Sequence, residues 1–117
     1  MTQRRILIVD DYTAIGEILQ RTLTSRECLV DRAADGAEAL ALFKEQRYDL
    51  IITDLQMPDM GGLALIEAIR TLYAQTPFII ISARTDQITK PPENTQVLPK
   101  PFRLEAINAA IVKLLDR

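Results

Sequence analysis

The chain lacks several residues on which common catalytic and metal chemistry depends. Its 117 residues include no histidine, no tryptophan and one cysteine, Cys28. A lone cysteine has no partner for an internal disulfide. Without a second cysteine or any histidine, the chain offers neither a zinc site nor a Ser/His or Cys/His catalytic pair. Thiol and histidine catalysis are therefore excluded.

Long apolar runs and an excess of one charge are also missing. The apolar runs extend over four or five residues, which is too short to span a bilayer, and no charged-then-apolar leader opens the sequence. The 14 basic residues are interspersed with 16 acids, so the chain has no basic stripe for nucleic acid and no polybasic membrane anchor. Because 48% of the residues are hydrophobic, one sizeable core can be buried. We expect one soluble, cytoplasmic domain over residues 1–117, without direct contact to nucleic acid or membrane.

Two kinds of apolar pattern alternate along the chain. Short runs rich in Ile, Val and Leu predict five β-strands: RILIV, LVDRA, DLIIT, FIIIS and QVLP. Helical spacing predicts four helices, marked by Ile15, Ile18, Leu19 and Leu23, by Ala39, Leu40 and Phe43, by Leu65, Ile66, Ile69 and Leu72 or Tyr73, and by Ile107, Ala110, Ile111, Leu114 and Leu115. This alternation implies parallel strands with right-handed crossovers. We therefore predict a doubly wound α/β fold with helices on both faces of the sheet.

Local signals show where helices begin and where the alternation fails. Asp35 before GAEAL predicts an N-cap for the second helix, and the glycine pair at 61–62 predicts a turn before the third. The segment 82–99 contains KPP, which cannot lie inside a regular helix. The fourth crossover is therefore predicted to be short or irregular.

Polar residues stand at the carboxyl ends of the predicted strands, where ligands bind in this fold class. They are Asp10 and Asp11 after the first strand, Asp54 after the third, Ser82 after the fourth and Lys100 after the fifth. Clustered carboxylates repel one another, and a hard cation such as Mg²⁺ would relieve that repulsion. A lysine and a hydroxyl would suit the oxygens of a phosphoryl group, and a carboxylate is already a nucleophile. The pattern favours Mg²⁺-assisted phosphoryl transfer.

Each of these residues also has a structural interpretation. Asp11 could cap the first helix, Asp54 could cap a turn before MPDMGG, and Ser82 could be a strand-end hydroxyl. Lys100 could be a solvated lysine. Their joint placement at successive strand ends favours the site.

Four motifs in order, ILIVDD, DLIITDLQMPDMGG, IIISA and LPKPF, resemble the receiver domain of two-component response regulators, over the whole chain. The resemblance implies a flavodoxin-like sheet of five parallel strands in the order 2-1-3-4-5. It implies a regulatory phosphoacceptor, not an enzyme, that promotes its own phosphorylation and dephosphorylation. Its implied partners are a sensor histidine kinase or phosphotransfer protein, and an output domain or downstream protein.

The resemblance also implies roles for individual residues. Asp54 would accept the phosphoryl group, Lys100 would contact its oxygens, and Ser82 would turn inward to bond the aspartyl phosphate. The implied Mg²⁺ ligands are Asp10, Asp11, Asp54 and, through its backbone carbonyl, Gln56. Pro58 and Gly62 would shape the loop after the acceptor, and the Lys100–Pro101 peptide bond is expected to be cis.

Two features depart from the family pattern. Val97 stands where an aromatic residue is usual, and only 17 residues, including a proline pair, separate Ser82 from Lys100. Val97 is short and stiff and cannot rotate as an aromatic side chain does. We therefore predict that the readout lies mainly in residues 83–90 and in the loop after Asp54, and that the chain is monomeric. Pro99 is expected to be tolerated because the fifth strand is an edge.

Rival functions on the same fold fit less well. A flavin or dinucleotide site needs a phosphate-binding loop after the first strand, where this chain has two acids. An aspartyl-phosphate phosphatase would need a second acid at the position of Gln56. The remaining alternative is a receiver-like interaction module that acts without phosphorylation.

Overall fold

A five-stranded parallel sheet in the order β2-β1-β3-β4-β5 forms the centre of the computed structural model, which describes residues 4–10, 13–24, 28–57, 60–88 and 90–115. The strands are β1 (Arg5–Val9), β2 (Leu29–Ala33), β3 (Leu50–Asp54), β4 (Phe78–Ser82) and β5 (Thr95–Pro99). The helices are α1 (Thr13–Thr24), α2 (Gly36–Glu45), α3 (Gly62–Leu72) and α4 (Leu104–Leu115). The predicted fold class and strand order are confirmed. Within the described ranges, no helix is long and apolar enough to cross a membrane.

Side chains that alternate along the central strands build two separate core layers. β3 and β4 are buried along their whole length, which explains their unbroken aliphatic runs. One face of the sheet packs against α2 and α3, and its strand residues include Leu7, Val9, Ile51, Phe78 and Ile80. The other face packs against α1 and α4, and its strand residues include Ile6, Ile8, Leu50, Ile52, Ile79 and Ile81. Burial of both faces fixes the strand ends relative to one another.

The helix signals in the sequence are confirmed at most positions. The Asp35 carboxylate accepts a hydrogen bond from the Glu38 N–H at 2.8 Å and caps α2, as predicted. Three apolar residues that the helical spacing selected are instead exposed: Ile18 (54%), Leu72 (47%) and Tyr73 (38%). Leu72 ends α3, and Tyr73 lies just beyond it with its ring 5.5 Å from that of Phe43.

The crossover between β4 and β5 contains a single 3-10 turn, Thr85–Gln87, in place of a helix. The prediction of a short, irregular crossover is confirmed. β5 lies at the sheet edge, and Pro99 at its end is exposed. The Asn94 carbonyl and the Lys100 N–H form hydrogen bonds with β4. Backbone groups of successive strand residues point to opposite sides, so the nitrogen of Pro99 points away from β4. The edge tolerates this proline, as expected.

Candidate functional site

The carboxyl ends of β1 and β3 bring two acids side by side. Val9 is paired with Thr53, so Asp10 and Asp54 are the next residues along two neighbouring strands. Adjacent strands are about 4.8 Å apart. The Asp10 N–H donates to the Ala33 carbonyl at 3.1 Å, which holds the end of β1 against β2. Asp54 is only 8% exposed. The strand pairing therefore presents two carboxylates at one edge of the sheet.

Lys100 crosses from the end of β5 to the acceptor candidate on β3. Its Nζ lies 2.8 Å from Asp54 Oδ2, with the lysine and aspartate side chains 19% and 8% exposed. The Lys100 backbone N–H donates to the Ser82 carbonyl at 2.9 Å, which anchors the residue to the end of β4. The Lys100–Pro101 peptide bond is cis, as expected. A carboxylate this buried is stabilised by a charged donor, and removal of either partner is costly.

Ser82 ends β4 between these two groups and is 2% exposed. Its Oγ accepts a hydrogen bond from the Arg84 backbone N–H at 2.9 Å. The Arg84 guanidinium in turn pairs with Asp86 at 3.1 Å. Hydrogen bonding in this pair holds the pKa of Asp86 below its ordinary value and raises the pKa of Arg84. The hydroxyl is thereby tied to the first residues of the β4–β5 crossover.

The backbone of α3 begins directly against the backbone of the candidate acceptor. A Cβ atom at Gly62 would lie 2.6 Å from the Asp54 carbonyl oxygen and 3.1 Å from Leu55 Cα. The Gly62 N–H donates to the Leu55 carbonyl at 2.8 Å, and the Thr53 hydroxyl donates to the Asp54 carbonyl at 3.0 Å. Gly62 therefore permits a close approach that no larger residue would allow. The expected role of Pro58 lies outside the described residues.

Sequence reasoning missed three of these contacts. The Thr53 hydroxyl gave no signal, because a threonine inside an aliphatic strand is a common strand residue. The Arg84 N–H gave none, because a backbone donor carries no residue-type signature. The adjacent glycines indicated a turn, but their spacing does not reveal that one of them touches the Asp54 backbone.

The donor set at this edge suits a hard divalent cation. Asp10 and Asp54 supply carboxylate oxygens, and oxygen ligands with net negative charge are those that Mg²⁺ prefers. Gln56, whose backbone carbonyl the resemblance implies as a further ligand, is exposed just beyond β3. Asp11, the third expected carboxylate, lies outside the described residues. The described residues alone form no group of three or more acidic, histidine or cysteine side chains able to hold a metal.

Comparisons with known proteins match most of the chain. A family model described as the response regulator receiver domain matches residues 6–112. A response regulator MprA from Mycobacterium sp. strain KMS is 36% identical over 118 residues, covering 97% of this chain and 51% of the relative. The chain thus spans about half the length of the curated relatives it matches.

Solved structures show the same fold. Vibrio cholerae chemotaxis protein CheY4 is 33% identical with a TM-score of 0.86, covering 97% of this chain and 100% of the other. The Thermotoga maritima response regulator TrrA, whose structure is a complex with Mg²⁺ and BeF, is 30% identical with a TM-score of 0.87 and the same two coverages.

Proposed function

The chain belongs to the response regulator receiver domain family, and on this premise we propose that Asp54 accepts a phosphoryl group in a Mg²⁺-dependent reaction. The donor would be a sensor histidine kinase or phosphotransfer protein. The modified domain would then change conformation and control an output domain or downstream protein. The role is regulatory, with the chain promoting its own phosphorylation and dephosphorylation.

The observation that carries this proposal is the buried Asp54–Lys100 pair. Lys100 donates to Oδ2 at 2.8 Å, and we assign the other oxygen, Oδ1, as the nucleophile. In the transfer, Oδ1 forms a bond to phosphorus while the bond between phosphorus and the donor's leaving atom breaks. The Lys100 ammonium stabilises the negative charge that gathers on the phosphoryl oxygens. No general base is needed, because the carboxylate carries no proton to remove.

A magnesium ion completes the charge balance of this proposal. Asp10 and Asp54, with Asp11 and the Gln56 carbonyl, are the groups we propose to hold it. When bound, it supplies charge neutralisation for the transferring group. Support comes from the oxygen donors at the ends of β1 and β3 and from the Mg²⁺ complex of the Thermotoga relative.

The hydroxyl of Ser82 gives the proposal a route to a conformational change. If the Ser82 side chain turns to form a hydrogen bond with an aspartyl phosphate, the hydrogen bond from the Arg84 N–H to Ser82 Oγ breaks. Residues 83–90 would then lose the contact that ties their start to β4. Val97, which is only partly buried, packs against the core layer beneath α2 and α3. We therefore propose that the crossover carries more of the response than β5 does.

A second candidate is an interaction module that works without phosphorylation. The observation that favours it is the β4–β5 crossover, whose described residues form one 3-10 turn where the other crossovers have helices. Single-domain organisation over residues 1–117, a monomeric state and a cytoplasmic location remain proposals from the sequence.

The deciding experiment is Mg²⁺-dependent labelling with acetyl phosphate, followed by intact-mass measurement. The wild-type protein should gain one phosphoryl group with Mg²⁺ and none with chelator, and Asp54→Asn should gain none. Asp49→Asn is the matched control, because Asp49 immediately precedes β3 at its opposite end. If Asp54→Asn is labelled to the same extent as the wild-type protein, the phosphoacceptor is a residue other than Asp54. An unlabelled wild-type protein would favour the second candidate.

A further inference from the structure

An open groove of about 440 Å³ lies between α3 and the β4–β5 crossover, away from the acceptor site. Its lining residues are Leu63, Ile66, Glu67, Arg70, Thr71 and Pro92. Leu63 is 42% exposed although it is apolar. The groove follows the helix, since positions 63, 66, 67, 70 and 71 share one helical face.

The groove exists because the described residues of the β4–β5 crossover form no α-helix. Packed helices lie about 8–10 Å apart, so a helix in the β4–β5 crossover could have packed beside α3. α2 and α3 are the helices on this face. Ile88 and Val97 pack against the same core layer, but the crossover supplies only a 3-10 turn and a proline segment beside α3. The flank of α3 is therefore left open over the width of roughly one helix.

Arg70 provides a fixed positive charge in this groove. Its Nε and one terminal nitrogen donate to the Thr76 carbonyl at 3.3 and 2.9 Å, and the same terminal nitrogen donates to Thr95 Oγ1 at 3.3 Å. The guanidinium carbon lies 5.4 Å from the centre of the Phe78 ring. Burial lowers the pKa of Arg70, and the charge of the nearby Glu93 partly offsets this shift. No described residue accepts a hydrogen bond from the other terminal nitrogen, so the guanidinium retains donors for a ligand.

We propose that this groove binds an amphipathic helix of a partner protein, which packs apolar side chains on Leu63 and Pro92 and places a carboxylate against Arg70. Glu67, one turn before Arg70, would pair with a basic residue of the same helix. The acid and the base on α3 thus define the direction in which the partner helix lies. This proposal does not depend on phosphorylation of Asp54.

Two features favour a helix over other occupants. Pro92, which lines the groove opposite α3, has no N–H donor, so an extended strand would lack that backbone partner there. The groove is open along α3, whereas small-molecule sites enclose most of their ligand. Apolar anchors spaced one turn apart along a helix match the spacing of the lining residues.

The test uses a synthetic helical peptide of about 15 residues. It carries leucines at i, i+3 and i+7, with one glutamate and one lysine spaced to face Arg70 and Glu67. Amide NMR titration of the whole chain should show shifts centred on residues 63–71 and 93–95. A peptide with glutamine in place of the glutamate should bind about tenfold more weakly, because it loses a charge-assisted hydrogen bond.

The matched protein variants are Leu63→Asp and Leu104→Asp. Both leucines are exposed to a similar extent, 42% and 40%, and both lie in the first turn of a helix. Leu63→Asp should weaken peptide binding at least tenfold, and Leu104→Asp should bind like the wild type. Amide spectra of both variants check that they are folded.

Four results would overturn the proposal. They are absence of shifts along α3, equal binding by the two variants, the same shifts with butyrate in place of the peptide, and self-association that Leu63→Asp abolishes. The third would indicate a small-carboxylate site, and the fourth would indicate a second copy of the chain as the occupant.

Discussion

Gly62→Ala should lower both the stability of the fold and the rate of phosphorylation at Asp54, because the added methyl group would clash with the backbone of Asp54 and Leu55. The new Cβ would lie 2.6 Å from the Asp54 carbonyl oxygen and 3.1 Å from Leu55 Cα. Neither atom can move as the end of a flexible side chain does. Overpacking of this kind costs about 1–3 kcal/mol, and the loss of glycine freedom in the unfolded chain returns about 0.4–1 kcal/mol. We expect a net destabilisation of about 1–2 kcal/mol.

The functional effect follows from the same displacement. The start of α3 or the Asp54 backbone must shift by some tenths of an ångström, and Asp54 must still meet Lys100 Nζ. Misplacement of about 1 Å at a reacting group can cost roughly 100-fold in rate. We therefore expect labelling by acetyl phosphate to slow by about tenfold or more. Urea denaturation followed by circular dichroism, and the labelling rate with saturating Mg²⁺, measure the two effects.

Gly61→Ala is the control for this experiment. A Cβ at Gly61 would lie 3.1 Å from the Leu55 carbonyl oxygen, so a small adjustment relieves the contact. We expect it to be at least about 1 kcal/mol more stable than Gly62→Ala and to be labelled at close to the wild-type rate. Equal stability and equal labelling of the two variants would show that contact with the Asp54 backbone does not constrain position 62.

Three further predictions concern pH, metal binding and readout. Burial, and next the hydrogen bond to Asp31, raise the pKa of Tyr48 to about 12 from 10. Because the folded pKa lies above the unfolded one, this contribution to stability is complete below pH 10 and is lost between pH 10 and 12. Tyr48→Phe should lack that loss of about 2–3 kcal/mol when urea denaturation is measured against pH, and parallel pH profiles of the two proteins would contradict the prediction. Asp11→Asn should raise metal-free stability by about 1 kcal/mol and abolish the melting-temperature gain from Mg²⁺, whereas an unchanged gain would place the metal elsewhere. Amide shifts on adding Mg²⁺ and beryllium fluoride should concentrate in residues 83–90, and large shifts through Val97 into Ile111 would refute that readout.

The sheet was predictable from sequence because parallel strands buried on both faces appear as unbroken aliphatic runs. Asp35 and the KPP segment were equally informative, since capping and proline act locally. The buried face of α1 was less predictable. Leu19 and Leu23 are buried as expected. The buried face of α1 also includes Gly16, however, and Ile18 lies outside it and is exposed. An apolar pattern gives no weight to a glycine, and here the Arg32 guanidinium from β2 occupies the space beside Gly16.

At the site, sequence order was enough to place Asp10, Asp54 and Lys100 at one edge, because parallel strands all end there. The reach of Lys100 across β4 to Asp54 depends on the register of three strands, which no single segment encodes. Arg70 gave no signal, because an arginine in an amphipathic helix usually indicates the solvent face. Its partial burial follows from contacts with the Thr76 carbonyl beyond the end of α3 and with Thr95 on β5, and the helical pattern encodes neither contact.

The outward nitrogen of Pro99 has a consequence for solubility at high concentration. An exposed sheet edge can recruit a strand from another chain and so begin aggregation. Along β5 the outward-facing positions are Thr95, Val97 and Pro99, and only the first two carry an N–H. A strand added at this edge would therefore find no N–H donor at Pro99, at the end of β5 nearest the acceptor site. Proline at this position caps strand addition while leaving the inward bonds to β4 intact.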